Sequence, residues 1–381
     1  MKKNKKFDFY SLDEIKKQNC SYNVIFGERS NGKTYAVLKE IIEQYYNNGV
    51  KTAYIRRYDE YITGSKAKQV FSNLTAKKIK VKREYISEVQ RITNMEYDSV
   101  VYFSGAWYLA NYDENLDKFI KQKEPFMYGF ALNTSESYKS SAYPDIGIVF
   151  FEEFLTRSHY LIDEYVIFSN LLSTTVRLNE KVRIYLVGNT VDKNSIYFRE
   201  MGLHKVTQMK KGEIKIYTYN NKKLRVAVEY SDSIATEKPT DFLFAFDNPK
   251  LKMITTGEWE IGNYPHLPVK YKPKNVLYEY FIKYNDDILH CEIIAVDDKY
   301  FTYVHQKTTP IKDKKENIVF QEEFSPLPNI RRCINNCYDK IGKMIYSFYI
   351  KEHVFYQDNE VGEKMRHYLD WCETARLELR K

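Results

Sequence analysis

Eight consecutive residues, Gly27-Glu28-Arg29-Ser30-Asn31-Gly32-Lys33-Thr34, constrain this chain more than any other feature. They match G-x-x-x-x-G-K-[ST] in full, the loop that cradles nucleoside phosphates. Its glycines let the backbone turn its N–H groups inward, and the helix that follows adds the partial positive charge of its N-terminus. The apolar run Val24-Ile25-Phe26 before the loop predicts a strand, and the stretch after Thr34 predicts a helix. Gly27, Glu28, Arg29, Ser30, Asn31 and Gly32 are therefore expected to wrap the phosphates of ATP. Lys33 is expected to reach the β- and γ-phosphates, and Thr34 to ligate Mg²⁺.

The surrounding pattern agrees. From residue 20 to about 230, short apolar runs alternate with longer amphipathic stretches, as in an α/β domain on a mostly parallel sheet. Strands are predicted at Tyr22–Phe26, Thr52–Arg56, Ser99–Phe103, Ile146–Phe151 and Val182–Val187, and helices at Thr34–Asn47 and Ile162–Leu172. A hairpin is predicted from Glu213–Tyr219 and Leu224–Tyr230, turning at Asn220-Asn221. Residues 233–265, with several prolines and glycines, read as a connector with a few helical turns. The chain thus divides into a P-loop ATPase domain over 1–232 and a smaller α+β domain over 266–381. In the second domain, Leu289–Val296 and Lys299–Gln306 read as an antiparallel pair turning at Asp297-Asp298. Met344–Tyr349 reads as a further strand, and residues 362–379 as a closing helix.

Hydrolysis needs an acid at the end of a neighbouring strand. Ile146-Gly147-Ile148-Val149-Phe150-Phe151-Glu152-Glu153 supplies two. Glu152 is expected to hold the Mg²⁺ shell, and Glu153 to polarise the attacking water. Negative charge at a helix N-terminus is the plainer reading of the pair, and the upstream P-loop favours the catalytic one. Asn189, at the tip of the next strand, is expected to sense the γ-phosphate, with Thr190 second. Asn189-Thr190-Val191-Asp192 lacks the lysine of the guanine-reading Asn-Lys-x-Asp, which argues against a GTPase. Arg177 is the candidate arginine finger acting on a neighbouring subunit, ahead of Arg183 and Arg157. Arg56 and Arg57 are placed to couple to DNA or to an adjacent nucleotide.

Charge and cysteine usage bound the partners. The net charge is +8, with lysine-rich runs in the first seventeen residues, at 77–83 and at 205–223, compatible with a polyanion such as DNA. The five cysteines are scattered; Cys333 and Cys337 are four apart, a spacing that puts them on one helix face, and no zinc pattern accompanies them. No apolar run approaches membrane-spanning length, and no apolar stretch follows the basic start as in a signal peptide.

With these pieces assembled, the chain resembles the genome-packaging ATPases of short-tailed bacteriophages, compact relatives of the large terminases. The resemblance rests on Arg29 inside the P-loop, Tyr54-Ile55-Arg56-Arg57-Tyr58, Phe150-Phe151-Glu152-Glu153-Phe154, Leu186-Val187-Gly188-Asn189-Thr190 and Ser195-Ile196-Tyr197-Phe198. It covers roughly the first 230 residues. It departs at Glu152, where the family usually has Asp. It implies an ASCE-type P-loop domain followed by an RNase H-like domain whose nuclease site is vestigial. It implies a homo-oligomeric ring, a pentamer, that hydrolyses ATP to push double-stranded DNA through the portal of a procapsid. The place of action would be the host cytoplasm, with transient docking on the procapsid, and a packaging RNA is left open as a further partner. Glu292, Asp297, Asp298, Asp286 and Asp287 are the carboxylates nearest to a two-metal set, and they lack a spaced triad, so nuclease activity is not expected. Two other readings share the P-loop: a different DNA-translocating ATPase or helicase, and a nucleotide-binding switch. The first should carry further helicase motifs, and the second has no need of a paired catalytic acid.

Overall fold

A computed structural model describes residues 9–81, 84–138, 143, 145–156, 160–176, 179, 181–189, 195–221, 223–232, 263–284, 287–297, 299–311 and 317–378. The chain divides into two compact units, Met1–Glu260 and Ile261–Lys381. The expected connector lies outside the described residues except for 263–265.

The first unit is built on a ten-stranded sheet. Six of its strands are parallel, in the order Leu224–Ser231, Tyr22–Gly27, Arg183–Asn189, Ile146–Glu152, Lys51–Arg56, Met127–Ala131. The strand Arg183–Asn189 lies between the P-loop strand and the acidic strand, which is the additional strand of an ASCE-type ATPase fold. Parallel sheets are covered on both faces, and the side chains alternate accordingly. Val24, Phe26, Ile55, Val149, Phe151, Ile184 and Leu186 pack one way, against Phe168, Leu171 and Tyr197. Ile25, Tyr54, Ile148, Phe150, Tyr185 and Val187 pack the other way, against Val37, Leu38, Ile41 and Ile42 of the helix Lys33–Asn48. Each such side chain contributes about 1.5–3 kcal/mol on full burial.

The edges are antiparallel. Ile214–Tyr219 pairs with Leu224–Ser231 as the expected hairpin, with Asn220 and Asn221 both at positive φ. The same Leu224–Ser231 strand also lies parallel to the P-loop strand, which local pattern did not suggest. At the other edge, Met127–Ala131 pairs with Ala106–Asp113, which also holds Ser99–Phe103 and Lys118–Lys121. The expectation of simple αβ alternation thus fails between residues 99 and 131.

The second unit carries one six-stranded sheet. Val276–Tyr284, Asp287–Val296 and Lys299–Gln306 form an antiparallel meander. Val319–Gln321 runs parallel to Val276–Tyr284, Ile330–Arg331 parallel to Val319–Gln321, and Val354–Tyr356 parallel to Lys299–Gln306. A meander extended by parallel strands beside its first strand is the sheet plan expected of an RNase H-like domain. Among the described residues, neither the 306–319 nor the 321–330 connection carries a helix. One face of the sheet is sealed by Ile345, Val361, Met365, Tyr368 and Cys372 from two helices, Lys340–Ile350 and Asn359–Glu378.

Three expectations are corrected here. Met344–Tyr349 is not a strand; it lies in the helix Lys340–Ile350. Its aromatic residues favour strands, but Asp339 caps the helix by accepting a bond from the Gly342 amide at 3.0 Å, and Ile345 is buried from it. Cys333 and Cys337 lie in a turn before that helix, where the Cys337 thiol donates to the Cys333 carbonyl at 3.6 Å. The closing helix begins three residues earlier than expected, at Asn359.

Candidate active site

The P-loop leaves the sheet at Gly27, in register with Asn189 on one side and Ser231 on the other. A Cβ at Gly27 would stand 2.2 Å from Ser231 Oγ and 2.8 Å from its carbonyl oxygen, so only glycine fits. Gly32, at φ 98°, begins the helix Lys33–Asn48 in a conformation glycine adopts without strain. That helix has no side-chain bond from its N-cap residue and no acid in its first turn; of its leading amides, that of Lys33 is held by Asn31 Oδ1 at 3.3 Å. This is the arrangement an anion requires.

The loop is braced from several sides. Asn31 donates to Ser231 Oγ at 3.0 Å and accepts from the Lys33 amide at 3.3 Å. Lys33 is buried; its Nζ lies 2.5 Å from the Glu28 carbonyl and 3.1 Å from Asn31 Oδ1. Lys211 Nζ pairs with Glu28 Oε1 at 2.8 Å. The Tyr10 amide donates to the Asn31 carbonyl at 3.0 Å, and its hydroxyl donates to Glu229 at 2.7 Å. Arg29 and Ser30 are exposed.

The acidic strand ends beside the helix start. Thr34 Oγ1 donates to Glu152 Oε1 at 2.8 Å. The other oxygen of Glu152 accepts from the Tyr54 hydroxyl at 2.5 Å and from Arg56 Nη1 at 2.7 Å. Arg56 Nη2 also pairs with Glu153 at 2.6 Å. One guanidinium therefore spans both acids. Burial opposes the Arg56 charge, but Tyr54, Glu152 and Glu153 hold its pKa above the ordinary arginine value. Burial first, and Glu152 next, push the Tyr54 phenol well above its usual range, so it acts as a donor. Glu153 sits at φ 58°, unusual for a residue with a Cβ. Its amide donates to the Val187 carbonyl of the adjacent strand at 2.8 Å.

Two clefts meet at these acids. A cleft of 610 Å³ runs from Lys33, Thr34, Glu152, Glu153 and Asn189 to an apolar wall of Leu38, Val70, Leu74 and Ile79. A second, of 280 Å³, is lined by Arg29, Arg56 and Arg57 opposite Glu152 and Glu153. The first is within the size range of small-molecule and cofactor sites. Its donor set fits a magnesium nucleotide: a hydroxyl and a carboxylate converge where a hard cation takes oxygen ligands, next to a buried lysine and an uncapped helix.

No protein-family model matches the chain. It is 24% identical over 193 residues to the DNA packaging protein of Bacillus phage phi29, covering 50% of this chain and 49% of the relative. It is 24% identical over 184 residues to that of Bacillus phage B103, covering 48% of each. Over about half its length the chain is similar to the DNA packaging proteins of these Bacillus phages. It spans about half the length of the curated relatives it matches. Across 95% of its length it superposes on 98% of a chain from the bacteriophage phi29 viral genome packaging motor assembly, with TM-score 0.56 and 17% identity. For the Phi-28 DNA packaging motor the figures are 96%, 97%, 0.51 and 17%. At these identities the likeness establishes a shared fold.

Several expected residues come together at this site: Gly27 to Thr34, Glu152, Glu153 and Asn189 all line it or brace it. Arg177, Arg157 and Thr190 lie outside the described residues. Arg183, the other finger candidate, pairs with Glu40 at 3.2 Å. Arg56 and Arg57, expected to couple to DNA or to an adjacent nucleotide, line the second cleft and are engaged within the chain. Arg56 is held by the two acids. Arg57 is buried, and bonds Glu164 at 2.7 and 2.9 Å and the Phe154 carbonyl at 2.8 Å. Tyr197 donates to the same Glu164 at 2.8 Å. These bonds anchor the segment that follows the acids.

Sequence reasoning missed Tyr54, Ser231, Glu164 and the apolar wall. Tyr54 had a signal: it stands two residues before Arg56, on the same face of a strand. Ser231 and Glu164 had none, because their partners are 200 and 107 residues away. Among the described residues, the second unit's Asp287, Glu292 and Asp297 form no common cluster. Asp287 pairs with Lys364 at 3.0 Å, Asp297 forms a turn at φ 47°, and Asp286 and Asp298 lie outside the described residues.

Proposed function

We propose that this chain is the ATPase subunit of a viral DNA-packaging motor. The observation that carries this reading is the 2.8 Å contact between Thr34 and Glu152, with Glu153 alongside, at the mouth of the P-loop. A pure nucleotide-binding switch has no use for the second acid.

Bound ATP with Mg²⁺ supplies the phosphoanhydride bond to be cleaved. Thr34 and Glu152 hold the cation. Lys33 and the leading amides of the helix bind the β- and γ-phosphates. Glu153 accepts a proton from the attacking water, and Asn189 contacts the γ-phosphate. Arg29, an exposed residue of the loop, and Arg177, from a neighbouring subunit, counter the charge that develops as the bond breaks. The apolar wall takes the base. Subunits act as a ring, a pentamer, on the portal of a procapsid, in the host cytoplasm, and drive double-stranded DNA inward. The second unit contributes DNA and portal contacts, and serves without nuclease chemistry.

The test is a packaging reaction with procapsids, ATP, the protein and linear double-stranded DNA, read as DNA protected from added nuclease. Protection that depends on both ATP and this protein supports the proposal. ATP hydrolysis and DNA unwinding without protection would favour a helicase, and nucleotide binding without hydrolysis would favour a switch.

A further inference from the structure

The outer face of the second sheet gathers a group of side chains that the ATPase does not use. His290 and Glu292 alternate on the strand Asp287–Val296, so both leave the face opposite Leu289, Cys291 and Ile293, which are buried in the core. His305, on the neighbouring strand, stands directly across from His290. The two imidazole rings lie 4.6 Å apart, and His305 Nε2 is 3.3 Å from Glu292 Oε2. One nitrogen from each histidine and one oxygen of Glu292 lie within 4.8 Å of one another.

We propose that His290, Glu292 and His305 form a binding site for a divalent transition-metal ion, with zinc as its best-suited occupant. Two imidazoles and one carboxylate form a recurrent three-ligand zinc set, in which water takes the fourth position. Tetrahedral ligands at zinc bond lengths sit about 3.3 Å apart, so small side-chain rotations close the group. Imidazole nitrogens favour zinc over the hard cations magnesium and calcium.

Three details support a site rather than a chance cluster. His290 Nε2 is buried and makes no hydrogen bond, although Glu279 Oε2 is 3.4 Å away. A buried imidazole nitrogen left without a hydrogen bond is costly, and a cation bound by that nitrogen would offset the cost. Glu292 is oriented by the Tyr271 hydroxyl, the kind of outer contact that fixes a ligand carboxylate. The rings are held as well: Phe281 stacks on His290 with centroids 4.8 Å apart, and Tyr303 stacks on His305 at 5.4 Å. The side chains of His290, Glu292 and His305 are 17%, 13% and 26% exposed, which leaves room for a water ligand.

The test uses the full chain, stripped with a chelator and titrated with zinc alone against a chromophoric competitor. The expected result is one tightly bound zinc per chain, lost by at least tenfold in affinity in His290→Ala/His305→Ala. Tyr271→Phe should weaken binding by about 10- to 100-fold while leaving the ligands in place. Should the double variant fail to fold, Glu292→Gln and a cobalt spectrum serve instead. A cobalt spectrum without thiolate charge-transfer bands, weakened by Glu292→Gln, supports the site. Zinc binding unchanged in the histidine variants, thiolate bands in the cobalt spectrum, or no stoichiometric binding by the wild type would overturn it.

Discussion

Arg56 holds Glu153 at 2.6 Å while its other nitrogen holds Glu152 at 2.7 Å. The acid assigned to water activation is thus aligned by a residue on a neighbouring strand. Glu153→Gln should keep the fold and the nucleotide site, because its side chain is 55% exposed and an exposed pair adds about 0–1 kcal/mol. It should lower the hydrolytic kcat by roughly 10²- to 10⁴-fold, the usual contribution of a positioned base. Steady-state hydrolysis with parallel nucleotide-binding titration checks this; a kcat within threefold of wild type would remove Glu153 from the chemistry.

Arg57 and Glu164 make the most deeply buried ion pair of the first unit among the described residues, with side chains 7% and 0% exposed. Removing one partner strands a charge, which costs about 3–5 kcal/mol. Arg57→Met should therefore shift the urea midpoint far down, and adding Glu164→Leu should restore much of the loss. A single variant as stable as wild type would mean that the bonds from the Tyr197 hydroxyl and the Leu161 amide satisfy Glu164 without the arginine.

Glu229 predicts a pH dependence of stability. Burial raises its pKa to about 7, against the opposing effect of the Tyr10 hydrogen bond. The native state therefore binds this proton more tightly than the unfolded chain. The stabilisation is complete below the ordinary carboxylate range and is lost as pH rises through about 7. Glu229→Gln should raise the thermal midpoint at pH 8 relative to wild type and change it little at pH 4.5. Thermal melts at both values decide; an equal change at the two would show that charge is not the cause.

Gly27→Ala should lower stability by about 1–3 kcal/mol through overpacking. It should also weaken nucleotide binding, since the new methyl pushes Ser231 and the P-loop strand apart. Ser231→Ala should not rescue it, because the Ser231 carbonyl would remain 2.8 Å from the methyl. Full rescue would place the conflict with the hydroxyl alone.

The legible parts of the molecule are those written in contiguous residues. The P-loop, the acidic strand and the strand ending at Asn189 each declare themselves within eight or nine positions. So does the hairpin turn at Asn220-Asn221. What pairs with what across the sheet was not readable. The strand Met127–Ala131 holds a parallel place beside Lys51–Arg56, yet its five residues include Gly129 and resemble the antiparallel edge around them. The bonds of Arg56 and Arg57 within the chain were not readable, because Glu152, Glu153 and Glu164 lie 96 to 107 residues away in sequence. Met344–Tyr349 carried strand-forming aromatics, and only the Asp339 cap and the burial of Ile345 show why the helix wins. Glu292 was weighed only as a nuclease carboxylate, and His290 and His305 went unnoticed, because a cross-strand pairing, not a spacing, assembles the three.

The central claim is that the P-loop site hydrolyses ATP to move double-stranded DNA. The most direct measurement is the rate of ATP hydrolysis with and without double-stranded DNA, for wild type and Lys33→Ala. Hydrolysis stimulated by DNA in the wild type, and abolished in Lys33→Ala, is the predicted result. Lys33→Ala hydrolysing at the wild-type rate, or a wild type inactive with DNA and procapsids both present, would contradict it.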